Sequence, residues 1–380
     1  MSYKKLGEYI EVIDDRNRDL LDLPLLGVSV QKVFIPSIAN TVGTDMSKYK
    51  ILSKNQFTYI PDTSRRGDKI GVALLKNHEK ALVSQAYTTF KIIDEEKLNP
   101  DYLMMWFSRP EFDRYARYHS IGSVREVFDW TDMCEVELPI PSIEKQREIV
   151  AQYEAVANKI KVNEAICEKL EATAQALYKH WFVDFEFPNE EGQPYKSSGG
   201  AMVFNEELEK EIPEDWEVGL LSDLITVKYG KDYKHLNVGK IPLYGSGGIM
   251  SYVDSVLYDK PSVLIPRKGS LNNILYVKSP FWSVDTMFYS IPKIENVLIY
   301  IFNALSRMDF NSLNVGSAVP SMTTEYLNSM LILIPSEKKL KSFESELNKI
   351  EEYKISINKQ NQKLTQLQSL LLSRLARLEG

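Results

Sequence analysis

The chain has 380 residues, 44% apolar and 26% charged, which is enough for two or three packed units. Its formal net charge of −6 excludes a protein that coats nucleic acid with a basic surface, since such affinity comes from lysines and arginines neutralising phosphates. Cys134 and Cys167 lie far apart without CxxC spacing, which excludes a disulfide framework and points to buried free thiols.

The opening MSYKKLGEYIEV lacks a signal-peptide core, and no stretch nears the roughly 18 apolar residues of a membrane span, so a cytoplasmic protein with no membrane contact is expected. Residues 1–141 read as a first globular unit, with short apolar runs and a helical run over 100–118. Pro141 then ends a strand, Ser142 offers a helix cap, and Glu144 adds negative charge near the amino end. The predicted helix, 142–186, carries Ile149, Val156, Asn163, Leu170 and Leu177 alternating with Tyr153, Ile160, Cys167, Ala174 and Trp181. A spacing of four then three over more than four heptads makes a seam that must be buried against another helix.

Residues 187–212 are rich in Gly, Ser, Pro and acid and read as an exposed acidic linker. Across 187–216, Lys196 and Lys210 face eight carboxylates, and this one segment holds the whole chain's charge excess. A second globular unit, 213–335, has β-rich runs such as SVLIP (262–266) and SPFWSVDTMFYSIP (279–292) and a helical run over 294–308. A second helix, 336–380, repeats the seam with Phe343, Ile350, Ile357, Leu364 and Leu371 alternating with Leu347, Lys354, Asn361, Gln368 and Leu375. Polar Asn163, Lys354, Asn361 and Gln368 interrupt the two stripes, and buried polar seam positions fix register at a cost in stability.

The two halves are one fold used twice. Residues 122–142 (GSVREVFDWTDMCEVELPIPS) align without a gap on 316–336 (GSAVPSMTTEYLNSMLILIPS) at an offset of 194, and the helices keep that offset. Upstream, LPLLGVS (23–29) faces IPLYGSG (241–247), and FTYIP (57–61) faces SVLIP.

This arrangement resembles the specificity subunits of type I restriction-modification systems over essentially the whole chain. The resemblance is carried by Leu6-Gly7-Glu8-Tyr9-Ile10 and Trp216 with Leu221-Ser222-Asp223-Leu224, by Tyr244-Gly245-Ser246-Gly247-Gly248, by 264–270 (LIPRKGS) and 284–288 (VDTMF), and by the repeated Ile-Pro-Ser junction. The first half departs from the pattern, with Asp62-Thr63-Ser64-Arg65-Arg66-Gly67 in place of Arg-Lys-Gly and no acid matching Asp285. The resemblance implies an α+β fold: two mixed α/β target-recognition domains in pseudo-twofold duplication, joined by two long helices that form an antiparallel coiled coil. It also implies a chain without catalysis or cofactor of its own that binds a bipartite, asymmetric site on double-stranded DNA. Two methyltransferase (M) subunits with S-adenosylmethionine and motor-nuclease (R) subunits with ATP and Mg2+ are its implied partners. At roughly 1.5 Å per residue, helices of about 35 to 40 residues would hold two readers one to two duplex turns apart.

Hidden chemistry is sparse. Asn99-Pro100-Asp101-Tyr102 has Asp where an adenine methyltransferase loop needs a second proline, and a proline turn before a helix explains it. Asp62 with Glu95-Glu96-Lys97 only loosely imitates a nuclease cluster, and no Gly-x-x-x-x-Gly-Lys-Ser/Thr loop occurs. His78, His119, His180 and His235 lack metal-ligand spacing, so no metal site is expected. Residues 181–185 (WFVDF) read as core, with a subunit-docking surface as the alternative.

The residues expected to touch DNA are Arg65, Arg66, Lys69 and Arg125 in the first half, and Lys231, Lys234, Arg267, Lys268, Ser270, Asn272 and Asn273 in the second. Arg and Lys pair with guanine edges and Asn with adenine, while Lys and Ser often bind backbone oxygens. The bland reading of each is a solvated loop. Two other classes stay open: a self-sufficient restriction or methyltransferase enzyme, and a coiled-coil interaction protein without a DNA role.

Overall fold

The computed structural model describes residues 3–38, 43–64, 69–120, 126–312 and 321–377. The chain divides into two compact units, Met1–Asn163 with Lys359–Gly380, and Glu164–Asn358.

In the first unit Tyr3–Lys5 (β1) leads through a tight turn to Ile10–Ile13 (β2). There follow a hairpin of Leu26–Val28 (β3) and Phe34–Pro36 (β4), then Lys50–Ser53 (β5), Phe57–Tyr59 (β6), Val72–Leu74 (β7), Lys80–Val83 (β8) and Thr88–Ile92 (β9). Helices Pro100–Phe107 (α1), Pro110–His119 (α2) and Trp130–Cys134 (α3) precede Glu137–Pro139 (β10) and the long helix Ile143–Phe182 (α4). Strands β2-β9-β6-β7 make an antiparallel sheet, and β1 pairs with β10. Aromatic residues at these strand positions suit a half-buried pleated surface. Phe57 stacks on Phe90 at 4.9 Å, and both meet Phe107 of α1 edge-on. Ile149, Val150 and Tyr153 of α4 close this core together with Leu372 and Leu375 from the end of the chain.

Asn99 caps α1, its Oδ1 accepting from the backbone N–H groups of Asp101 (2.9 Å) and Tyr102 (3.1 Å), with Pro100 in the first turn. The Asn-Pro-Asp-Tyr stretch is therefore spent on starting a helix. The buried Tyr102 hydroxyl donates to the Pro139 carbonyl at 2.8 Å, fixing α1 to β10.

The second unit adds a hairpin, Met202–Asn205 (β11) with Lys210–Pro213 (β12), then Glu217–Leu220 (β13), Leu221–Leu224 (α5) and Ile225–Tyr229 (β14). It continues with Val238–Gly245 (β15), Gly248–Val253 (β16), Ser262–Pro266 (β17), Leu275–Val277 (β18), Trp282–Ser283 (β19) and Met287–Pro292 (β20). Leu298–Ser306 (α6), Thr324–Asn328 (α7), Leu331–Ile334 (β21) and the long helix Glu337–Arg374 (α8) complete it.

The sheet order β14-β20-β17-β18 repeats β2-β9-β6-β7, and β13 pairs with β21 as β1 does with β10. Tyr300 of α6 donates to the Leu333 carbonyl at 2.8 Å, the counterpart of Tyr102 and Pro139. The isolated bridges Asp62↔Val127 and Lys268↔Ser321 also correspond, each tying the loop after the third sheet strand to the segment before the last short helix. The repeat read from sequence is thus a repeat of topology and of hydrogen bonds, with loops of unequal length.

Each long helix gives one half to each unit. In the first unit the Asn163 side chain, 1% exposed, donates from Nδ2 to Asn361 Oδ1 at 2.7 Å. In the second, Cys167 lies against Asn358 and Glu171 pairs with Lys354, so the halves run antiparallel. Burial opposes the Lys354 charge, yet hydrogen bonds to Glu171 and Glu351 outweigh it and raise its pKa above the ordinary lysine value. Phe343, Leu347 and Ile357 are buried, while Ile149, Tyr153, Val156, Ile160, Leu170, Leu177, Ile350, Leu364 and Leu371 are half-buried.

Residues 187–212, expected as an exposed linker, are mostly exposed or half-buried, with Phe187 and Ile212 at the two ends buried. Phe187 is buried and stacks on Tyr195 at 4.6 Å and on Trp216 at 5.0 Å, in a core that also takes Trp181, Phe182 and Phe185. Composition flagged the charged residues of this segment; a few aromatic side chains decide its packing.

Candidate nucleic-acid interface

Strand register gathers the loops. Tyr229 at the end of β14 pairs with Phe288, and Pro266 at the end of β17 pairs with Met287, so the loops after β14 and β17 and before β20 leave the sheet at one end. Arg267 sits where they converge. Its backbone N–H donates to Thr286 O (2.8 Å), its carbonyl accepts from Met322 N (2.8 Å), and its Nη1 donates to Asp285 O (3.1 Å). The guanidinium lies 5.5 Å from the Tyr229 ring centre. Lys268 and Ser270 beside it are exposed, as are Lys231 and Lys234 on the loop after β14.

The two asparagines of this cluster bond within the protein, Asn272 from an exposed position and Asn273 from a half-buried one. Asn272 Nδ2 donates to Asp309 Oδ1 (2.9 Å) and its Oδ1 accepts from Phe310 N (2.8 Å). The hydrogen bond from Asn272 holds the Asp309 carboxyl below its ordinary pKa. Asn273 Nδ2 donates to Ser246 O at 2.8 Å. These amides hold loops in place, while Lys231, Lys234 and Lys268 stay exposed. Gly269 has φ +84°, a backbone shape that favours glycine, and a Cβ there would lie 2.6 Å from Ser246 Oγ, so the loop presses against the Tyr244–Gly248 turn.

In the first unit the matching sheet end is marked by Tyr59, which pairs with Thr88 and Val72, so the chain leaves the sheet after Tyr59 at the place equivalent to the one after Pro266. Arg65, Arg66 and Arg125 lie outside the described residues. Lys69 is exposed and lines an open pocket of about 590 Å³ with Asp113, Arg114, Arg117 and Tyr118 of α2. Beneath it the buried Lys32 ammonium meets Asp113 at 2.8 Å, and desolvation lowers the Lys32 pKa. Arg114, Arg117 and Tyr118 were not singled out from the sequence. Their spacing of three and four on α2 puts them on one helix face and was the available signal.

Among the described residues no group of three His, Cys, Asp or Glu side chains is placed to hold a metal ion. Glu95 is bonded to Asn55 and Glu96 to Arg147, so those carboxylates serve local contacts. No helix among the described residues is long and apolar enough to cross a membrane.

Residues 8–172 and 213–368 each match the family described as type I restriction modification DNA specificity domain. The type I restriction enzyme MjaIX specificity subunit of Methanocaldococcus jannaschii is 28% identical over 315 residues, which is 75% of this chain and 70% of that protein. The solved S subunit of a type I restriction-modification system from M. genitalium superposes with a TM-score of 0.58 at 16% identity, covering 99% of this chain and 96% of the other. A structure from work on complex assembly and conformational transition of the type I R-M system gives 0.51 at 14% identity, covering 98% and 97%. At such identities these structures speak for the fold alone.

Proposed function

The chain belongs to the type I restriction modification DNA specificity family, and from that premise we propose that each unit reads one half of a bipartite, asymmetric DNA site. The paired helices set the gap between the two words. Catalysis falls to partners: two methyltransferase subunits using S-adenosylmethionine to methylate adenine, and motor-nuclease subunits using ATP and Mg2+.

The observation that carries this reading is the duplication. One sheet order occurs twice, and after the equivalent strand ends Tyr59 and Pro266 the sequences diverge, 60–71 against 267–274. A single reader repeated with divergent loops presents two different words to one duplex. Arg and Lys on such loops supply both base contacts and phosphate contacts.

The test is an exchange of residues 1–141 for those of a relative with another target, assayed as the assembled methyltransferase. One half-site changes and the other stays; a change in both, or in neither, contradicts the reading. Lengthening either long helix by one turn alters the tolerated gap.

A further inference from the structure

We infer that the β15–β16 hairpin is a two-stranded ribbon that enters the major groove of the half-site read by the second unit. The inference rests on the proposed DNA-reading role and names the element that performs it.

The hairpin has an inner and an outer side. Ile241, Leu243 and Val253 pack with Phe281 and Trp282, whereas Ile249, Met250 and Tyr252 of β16 are 52%, 55% and 51% exposed. β16 is the edge of the sheet β16-β15-β19. Exposed edge strands are normally guarded by charge, proline or a covering element, yet residues 248–253 hold neither a charge nor a proline. An unguarded apolar edge implies a partner that covers it.

Charge identifies the partner. Residues 238–253 contain no Asp or Glu and one cation, Lys240, although Asp and Glu number 52 in the chain. Loops bearing cations flank this acid-free ribbon. Along its side runs the 230–237 segment with Lys231 and Lys234 against the single acid Asp232: Lys231 O accepts from Trp282 Nε1 at 3.2 Å, and Trp282 pairs with Leu243 of β15. At its tip, Ser246 is held by Asn273, which brings the Arg267 and Lys268 loop alongside. Gly248, at φ +112°, makes the tight turn that keeps the tip narrow.

An acid-free, largely apolar ribbon bordered by cations complements a groove with an uncharged floor and phosphate walls. Two strands about 4.8 Å apart fit a major groove about 12 Å wide, where apolar side chains meet thymine methyl groups. The first unit carries the counterpart: no Asp or Glu occurs from 23 to 44, and Val30, Val33 and Ile35 around the β3–β4 hairpin are exposed.

The experiment uses the chain assembled with its methyltransferase subunits on its own DNA target. Ile249→Asp and Met250→Asp are compared with Ile249→Lys and Met250→Lys, reading affinity and dimethyl sulfate protection at guanine N7, which faces the major groove. The Asp variants lose affinity about tenfold or more and lose protection at one half-site only, while the Lys variants bind as well as the parent or better. Unchanged binding by the Asp variants, equal weakening by Asp and Lys, or loss of subunit assembly overturns the inference. If the parent complex protects no interrupted site, the reading of the chain as a two-word DNA reader falls with it.

Discussion

The side-chain amide of Asn163 donates a 2.7 Å hydrogen bond to the side-chain oxygen of Asn361, joining the two long helices within the first unit. Asn163 breaks an otherwise apolar row and Asn361 stands between Lys354 and Gln368 in the other helix, so each amide needs the other where water is excluded. Asn163→Leu alone leaves the Asn361 amide facing an apolar neighbour and costs about 1–2 kcal/mol. Asn163→Leu with Asn361→Leu restores thermal stability but loosens register. Denaturant melts of the three variants check this, and additive losses in the double variant contradict it.

Tyr102 and Tyr300 make the same bond in the two units, to Pro139 O and Leu333 O, each at 2.8 Å. Tyr102→Phe and Tyr300→Phe each strand a carbonyl and lower stability by about 1–2 kcal/mol. A large loss at one site and none at the other, in calorimetry of each variant, would tell against equivalent roles.

Lys32 and Asp113 form a buried pair at 2.8 Å beside Lys69. Lys32→Met leaves the carboxylate without its cation and costs about 3 kcal/mol near neutral pH; adding Asp113→Asn recovers much of that. Burial lowers the Lys32 pKa in the fold below the ordinary 10.5. Between that lowered value and 10.5 the unfolded chain binds more protons, so this group's contribution to stability rises with pH across the window. Below the window its cost is paid in full. Stability curves that run parallel for the parent and Lys32→Met from neutral pH to 10.5 would refute this assignment.

Lys231 and Lys234 are exposed beside the hairpin and stand against the phosphates in the proposed complex. Lys231→Gln and Lys234→Gln each weaken binding to all sequences alike and reduce the slope of log K against log salt by about 1. Salt titrations with specific and random DNA separate this from a base contact, which would erode discrimination instead.

Duplication, helix boundaries and seam were legible because they are periodic or repeated: Ser142 and Ser336 announce the helix starts, and the 194-residue offset maps Val127 onto Ser321, both now seen in equivalent bridges. Less visible was whatever depends on distant partners. Asn272 is expected at DNA, and its bond to Asp309, 37 residues away, is announced by no local pattern. Phe187 sits in an acidic, glycine-rich stretch, and only Trp216 and Tyr195 reveal its burial. Arg114 and Arg117 stand near Glu111 and Asp113 in sequence, and the pocket they share with Lys69 forms only after folding. Polar loop residues serve scaffold or ligand with the same chemistry, and geometry alone sorts them.

The central claim is that two similar units engage two separate words on one duplex. Mapping methylated adenines across the host genome, with and without this chain, tests it directly. The account predicts loss of one motif made of two short, unlike words at a fixed gap. Loss of a continuous motif, or no loss at all, would contradict it.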